Sequence, residues 1–161
     1  MLPATQIEIL RAGPEDAAEI ATVLHDSFVE FKPLYTEAGF AATTPNAELV
    51  IARMAEGPVW IAVADQSILG TVAAVIKGSS VYVRGMGVLP AARGSGTGSR
   101  LLQQVETWAI SNGYARLFLS TTPFLNSAIR LYERSGFRRT EHGFHDLFGT
   151  SLFTMEKTIS R

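Results

Sequence analysis

Cysteine is absent from the 161-residue sequence. Its absence excludes disulfide bonds, a thiolate metal site and a catalytic thiol, and it favours a reducing compartment such as the cytoplasm. A net charge is nearly absent too, because the 14 basic and 15 acidic residues leave a formal net charge of only -1. Without an overall basic field, the chain is not expected to bind nucleic acid.

Long apolar runs are also missing. The longest, around Val59–Ala64 and Val72–Ile76, have the length of strands and fall well short of the roughly 20 residues that a membrane-spanning helix needs. The N-terminus lacks the basic start and apolar run of a signal peptide. Since 47% of the residues are hydrophobic and a typical domain has about 150 residues, we predict one cytoplasmic domain over residues 1–161, away from membranes.

The hydrophobic pattern predicts a mixed α/β fold. Helical spacing indicates four helices, over about 14–32, 45–57, 99–113 and 128–136, with a loop over residues 90–98 before the third. Alternating or β-branched runs indicate strands near residues 7–9, 59–64, 68–76, 81–88, 117–119 and 152–155. Residues 34–44 are predicted as a loop or short helical turns, and residues 141–149 as a loop. The strand–helix–strand order in the second half implies a right-handed parallel crossover.

A glycine-rich segment between a predicted strand and a predicted helix carries the clearest chemical signal. It reads Arg93-Gly94-Ser95-Gly96-Thr97-Gly98 and is followed by Ser99. Backbone N–H groups at the start of a helix have no intrahelical acceptor and lie at the positive end of the helix dipole. Glycines let a phosphate approach these groups, and an arginine side chain suits phosphate oxygens. The segment therefore predicts a phosphate-binding loop; the alternative is a glycine loop with no ligand.

Two common nucleotide motifs do not match this segment. A Walker loop requires a lysine after its last glycine, whereas Ser99 and Arg100 follow Gly98. A dinucleotide fingerprint requires a third glycine where Ser99 stands, and an acidic residue about 20 positions on, which residues 112–122 do not supply.

Two segments resemble the GNAT superfamily of N-acetyltransferases. The first is Arg93-x-x-Gly96-x-Gly98, preceded by Gly87-Val88-Leu89-Pro90, and the second runs from Asn126 to Phe137 with a tyrosine and a closing Gly-Phe. The segment from Leu147 to Lys157 is similar to the last strand of that family. The resemblance implies a central mixed sheet of about six or seven strands with four helices on its two faces.

The resemblance also implies a reaction, in which acetyl-CoA donates an acetyl group to a primary amine of a small molecule or peptide without a metal. The pyrophosphate of CoA would lie on residues 93–99, and its pantetheine arm on the strand from Met86 to Val88. Asn126 (also read as a helix cap) and Arg130 would make further CoA contacts. Gly85 and Gly87 predict a β-bulge that separates this strand from its neighbour.

The catalytic groups follow from the same resemblance. A backbone N–H of Met86 or Val88 would stabilise the oxyanion, and the Tyr132 hydroxyl would protonate the departing thiolate. Without the resemblance, Tyr132 reads as a core residue. Some family members carry a glutamate base at the position of Arg84, so the base stays open. The candidates are Glu30, Glu37, His142, His145, Asp146 or a bound water.

An aromatic acceptor site is expected opposite CoA, and its candidate residues are Phe31, Tyr35, Phe144 and His145. Two other functions stay open at this point: a module that binds acyl-CoA without turnover, and a nucleotide-binding protein that uses the same loop. Homodimers are common in the family, so the resemblance allows a homodimer.

Overall fold

Seven strands form one sheet in the computed structural model, which describes residues 6–160. Their order is β1-β2-β3-β4-β5-β7-β6. Within the described residues β4 and β5 are the one parallel pair, as the predicted crossover requires. The strands are β1 (Glu8–Arg11), β2 (Val59–Ala64), β3 (Ser67–Lys77), β4 (Ser80–Val88), β5 (Arg116–Thr121), β6 (Arg138–Leu147) and β7 (Thr150–Thr158).

Helices cover both faces of the sheet. They are α1 (Ala17–Phe28), α2 (Glu37–Thr43), α3 (Ala47–Arg53), α4 (Thr97–Ser111) and α5 (Asn126–Arg134). The predicted mixed fold of the GNAT type is confirmed, and α2 joins the four predicted helices. None of the helices between residues 6 and 160 is long and apolar enough to cross a membrane.

Side chains of β2 point alternately to the two faces of the sheet, and this alternation explains how the core divides into two layers. Val59 and Ile61 pack with buried residues of α1 and α3 on one face. Trp60 and Ala62 point to the other face and pack with α4 and α5. A strand that is buried on both faces reads as a continuous apolar run. The apolar sequence of β2 therefore places this strand in the middle of the protein.

The predicted bounds of the first two long helices are wrong. Helix α1 ends at Phe28, and a 3-10 helix continues from Val29 to Leu34 with Pro33 inside it. Proline lacks an N–H and disfavours the α conformation of the residue before it, so the chain adopts the tighter 3-10 form here. Helix α3 begins at Ala47 because the Asn46 side chain accepts the N–H of Leu49 at 2.9 Å.

The prediction of a loop over residues 141–149 is also wrong. Residues Arg138–Leu147 form β6, which pairs with β7 at the edge of the sheet. Nearly all residues of β6 are exposed, so the strand has no buried apolar face. Hydrophobic alternation, which is the signal for a half-buried strand, is therefore missing from its sequence.

Candidate active site

A gap opens between the two parallel strands. Strands β4 and β5 pair from Ser80 with Arg116 to Tyr82 with Phe118. Strand β4 then continues to Val88 and β5 to Thr121 without pairing to each other. Both strands therefore present unpaired backbone edges to a wedge-shaped gap.

A β-bulge in β4 accompanies this gap. Thr71 of β3 pairs with Gly87, and Ala73 pairs with Arg84, so two steps on β3 match three on β4. Gly85 lies in the extra stretch with a φ of 60°, a left-handed conformation that glycine adopts readily. The bulge predicted from the two glycines is thereby confirmed.

The backbone N–H of Val88 faces the gap. The next residue, Leu89, donates its N–H to the carbonyl of Leu69 on the β3 side at 2.8 Å. Successive N–H groups of a strand point to opposite edges. The N–H of Val88 consequently points away from β3 and towards β5.

The glycine loop presents a row of free amides beside the same gap. Helix α4 starts at Thr97, after Gly94 and Gly96 with φ values of 81° and 84°. Among residues 6–160, the N–H groups from Gly94 to Ser99 have no acceptor, and the first to bond is that of Arg100, to the Gly96 carbonyl at 3.1 Å. These amides and the positive end of the α4 dipole can hold an anion.

The glycines of this loop have two different roles. A Cβ built on Gly94 or Gly96 would meet no protein atom within 4 Å, so the space above the loop is open to a ligand. A Cβ on Gly98 would lie 2.8 Å from Leu131 and 3.3 Å from Met86. Gly98 therefore allows α5 and β4 to pack against the start of α4, a role that the sequence analysis missed. The open loop fits the pyrophosphate of CoA.

The side chains of the loop mostly bind the protein itself. The Ser95 hydroxyl lies 2.8 Å from that of Thr97, which is buried. The Arg93 guanidinium donates to the carbonyl of Ser27 at 2.7 Å and to the carboxylate of Glu30. The atoms left for a ligand thus include the backbone amides of residues 94–99 and the exposed hydroxyl of Ser99.

Tyr132 lies on α5 and is buried, with 8% of its surface exposed. Its ring packs beside that of Phe137, with the centroids 6.0 Å apart. Burial raises the pKa of the Tyr132 hydroxyl well above that of a free tyrosine, and interactions with Tyr35 and Tyr82 add to the rise. The hydroxyl therefore stays protonated at neutral pH.

The two other predicted CoA contacts lie on the same helix. Asn126 is the first residue of α5, and the preceding Leu125 takes the cap position without a side-chain cap bond. The cap reading of Asn126 is therefore wrong. Arg130 is exposed, and its guanidinium lies 3.4 Å from the Ser127 hydroxyl.

Aromatic rings from distant parts of the chain meet where the acceptor site is expected. The ring centroid of Phe124, in the β5–α5 loop, lies 4.9 Å from that of Tyr35 and 6.4 Å from that of Phe31. Burial raises the pKa of Tyr35. The sequence analysis missed Phe124, which no local motif marks.

A shallow pocket of about 420 Å³ lies beside this cluster. It lies between the start of α2, the β5–α5 loop and the β6–β7 turn. Its lining residues are Leu34, Thr36, Pro123, Phe124, Gly149, Thr150 and Ser151.

Strand β6 sends its two predicted acceptor residues to opposite faces of the sheet, as neighbours on a strand do. The His145 ring reaches across to β5, where its Nε2 lies 3.3 Å from the Ser120 hydroxyl. The Phe144 ring packs edge-on against Phe153 with centroids 6.2 Å apart, beneath Arg139. The structure thus brings Phe31 and Tyr35 together at Phe124, whereas Phe144 packs on Phe153 and His145 contacts Ser120.

Several of the candidate bases have other partners. Glu30 is paired with Arg93. The Asp146 carboxylate accepts the N–H of Gly149 at 2.9 Å. At the position of the family's glutamate, Arg84 forms an ion pair with Glu56 at 2.6 Å. His145, in contrast, contacts Ser120, which lies on β5 after the last residue that pairs with β4.

The strand gap and the row of free amides lie next to each other at the end of β4. A model of the acetyltransferase (GNAT) family matches residues 20–137. The chain therefore belongs to the GNAT family of acetyltransferases, which confirms the resemblance found in the sequence.

Two curated relatives carry acetyltransferase or synthetase names. The uncharacterized N-acetyltransferase YjgM of Escherichia coli K12 is 30% identical over 134 residues, which cover 80% of each chain. The N-acetylaspartate synthetase of Danio rerio is 37% identical over 82 residues. That match spans 50% of this chain and only 29% of the zebrafish protein.

Solved structures share the fold. The PaiA N-acetyltransferase of Thermoplasma acidophilum, in complex with coenzyme A, superimposes with a TM-score of 0.80 at 20% identity, over 95% of this chain and 99% of the other. The putative acetyltransferase yncA of Salmonella typhimurium, with its cofactor acetyl-CoA, superimposes with a TM-score of 0.74 at 22% identity. The match covers 95% of this chain and 94% of the other.

Proposed function

We propose that this protein transfers the acetyl group of acetyl-CoA directly to a primary amine of a small molecule or peptide. The row of free amides from Gly94 to Ser99, next to the strand gap, is the observation that carries this proposal. Family membership and the coenzymes named for two structural neighbours support the choice of donor.

The donor would lie along the gap. The pyrophosphate accepts hydrogen bonds from the amides of the loop, and the peptide-like pantetheine arm pairs with β4 from Met86 to the N–H of Val88, as an added strand would. Asn126 and Arg130, at the start of α5, offer further polar contacts to the coenzyme.

The reaction needs three groups around the thioester. When the amine attacks the carbonyl carbon, negative charge develops on the oxygen, and the N–H of Val88 is directed to receive it. Such a fixed donor contributes about 3–4 kcal/mol in other acyl transferases. As the carbon–sulfur bond breaks, the Tyr132 hydroxyl gives its proton to the thiolate.

The attacking amine must first lose a proton, since a free lysine-like amine has a pKa of about 10.4. We assign this proton to His145, directly or through a water, because its ring contacts Ser120 on the separated part of β5. Imidazole is the side chain that most often exchanges protons near neutral pH. With no cysteine in the chain, no thiol can carry the acetyl group, which supports direct transfer.

A panel of primary amines incubated with acetyl-CoA tests the proposal. We expect free thiol to appear only with a productive amine, together with one acetylated product for each CoA released. Tight CoA binding with no amine-dependent thiol release would contradict turnover and indicate a binding module. Acetyl groups accumulating on the protein would contradict direct transfer.

A further inference from the structure

We propose that Arg93 is a positioning residue that ties the coenzyme loop to the acceptor-binding segment, and that its side chain does not hold the phosphates. This inference rests on the proposed function, because only that function makes the segment around Phe31 an acceptor site. One guanidinium here donates to three separate acceptors: the carbonyl of Ser27 at 2.7 Å, the carbonyl of Val88 at 3.4 Å, and the carboxylate of Glu30.

These acceptors belong to three different parts of the protein. Val88 ends β4 at the gap, Ser27 lies in the last turn of α1, and Glu30 lies in the 3-10 helix that follows. A cation at the C-terminal end of a helix is favourable because the helix dipole is negative there. Arg93 therefore joins the strand that would hold the donor to the end of α1.

The planar shape of the guanidinium makes this joint directional. Its N–H groups point in fixed directions, unlike the single mobile charge of a lysine. An exposed ion pair alone contributes little, and 37% of the Arg93 side chain and 47% of that of Glu30 are exposed. The two backbone carbonyls, in contrast, are fixed parts of α1 and β4, so bonds to them constrain the chain itself.

Close packing leaves little slack between the joined segments. A Cβ on Gly87 would lie 3.1 Å from the Cβ of Ser27, so α1 and β4 lie in near contact beside the Arg93 bonds. The residue after Glu30 is Phe31, whose ring packs towards Phe124 in the acceptor cluster. A shift of the 3-10 helix would consequently move the acceptor site while the loop amides stayed in place.

The test compares Arg93→Lys, Arg93→Ala and Glu30→Gln with the control Arg138→Ala, which removes an exposed arginine from the edge strand β6. Three quantities are measured: the Kd of acetyl-CoA, the KM of the amine, and amide hydrogen exchange over residues 28–36 of the ligand-free protein. Thermal unfolding confirms that each variant is folded, and the lysine and glutamine variants keep the inference testable if Arg93→Ala does not fold.

For a positioning residue, we expect the Kd of acetyl-CoA to change by less than about threefold in all variants. The amine KM and the exchange rate over residues 28–36 should rise by about 10-fold in both Arg93 variants, the loss expected for one charge-assisted hydrogen bond at the lower end of its range. Arg93→Lys should not restore the wild-type KM or exchange rate, because a lysine cannot reach all three acceptors. Glu30→Gln should show a smaller change in the same direction.

The opposite pattern would overturn the inference. A phosphate ligand predicts a large loss of acetyl-CoA affinity in Arg93→Ala, recovery in Arg93→Lys because an ammonium also binds phosphate, and unchanged hydrogen exchange. The exchange and Kd measurements need no acceptor. They therefore decide the role of Arg93 even if the amine panel finds no activity and the proposed function fails.

Discussion

The proposed donor side and the proposed acceptor side of this protein are built from different atoms. On the donor side, the groups offered to a ligand are backbone amides of residues 94–99 and the free edge of β4. On the proposed acceptor side they are side chains: Phe124 packs against Phe31 and Tyr35 and lines a shallow pocket.

This difference explains what each side can vary. Backbone amides are present whatever the side chains are, so the donor side depends on chain conformation and on a few glycines. The acceptor side depends on ring size, polarity and position, all of which change with single substitutions. We therefore expect substitutions to separate donor affinity from acceptor affinity, and the experiments below test that separation.

The largest expected effect on ligand binding comes from Gly96→Val. A β-branched side chain disfavours the φ of 84° and fills the open space above the loop. We expect CoA affinity to fall by at least about 100-fold, equal to losing one or two charge-assisted hydrogen bonds. Isothermal titration calorimetry with CoA measures this affinity.

Gly113→Val is the matched control for that experiment. Gly113 follows the other end of α4, has a φ of 83°, and likewise has no atom within 4 Å of a built Cβ. It should lose comparable stability, from a left-handed conformation costing about 1–2 kcal/mol, yet keep CoA affinity. Equal CoA binding by the two variants would show that the loop is not the donor site.

Tyr132→Phe should lower kcat by about 10²–10⁴-fold with little change in CoA affinity, because it removes a general acid and keeps the buried ring. Since burial raises its pKa, loss of the Tyr132 proton should not limit kcat up to the pKa of free tyrosine, about 10. Steady-state kinetics against pH measure both points. The control is Tyr114→Phe, which alters a tyrosine stacked on Trp108. A wild-type kcat in Tyr132→Phe would show that Tyr132 is a core residue without a catalytic role.

His145→Gln should lower kcat/KM for the amine by about 100-fold near neutral pH, the lower end of the range for general bases. The amide can keep a hydrogen bond to Ser120 but cannot take a proton. His142→Gln, on the same exposed strand, should have no such effect. Equal rates in both variants would remove His145 from the chemistry.

Phe124→Ala should raise the amine KM by about 10-fold, because it removes ring contacts worth about 0.5–1.5 kcal/mol each. The KM of acetyl-CoA should not change. Phe144→Ala removes the same side chain from the opposite face of the sheet and should leave both constants unchanged. A rise in amine KM in Phe144→Ala would place the acceptor differently.

The smallest effect is expected for Glu56→Gln. The hydrogen bond from Arg84 lowers the pKa of Glu56, so this pair stabilises the fold above the unfolded pKa of about 4.3, and the contribution is lost as the pH falls through the lowered value. Because the pair is partly exposed, we expect a change of less than about 1 kcal/mol in the unfolding free energy, measured with urea at several pH values. The kcat should not change, and a fall in kcat would make Glu56 a base candidate.

The sequence predicts the donor side better than the acceptor side for a physical reason. A strand, a glycine loop and a helix start are contiguous, so Gly85 and Gly96 mark the bulge and the amide loop locally. Phe124 and Tyr35 meet only through the whole fold, and no local pattern pairs them. The strand β6 was missed for a related reason, since an exposed edge strand shows no apolar alternation.

Side-chain direction is the other feature that sequence reasoning could not supply. Arg93 was predicted as a phosphate contact because of its place in the motif, but its bonds to Ser27 and Val88 depend on how closely α1 packs on β4. Similarly, Gly98 was assigned to ligand access, whereas its position under Leu131 follows from the packing of α5.

The most direct test of the donor site is a titration of the ¹⁵N-labelled protein with CoA, followed through backbone amide shifts in the NMR spectrum. The amides of Gly94 to Ser99 should show the largest shifts, and pantetheine, which lacks the pyrophosphate, should leave them in place while it moves those of β4. Saturation with CoA while the six loop amides stay unshifted would contradict the account.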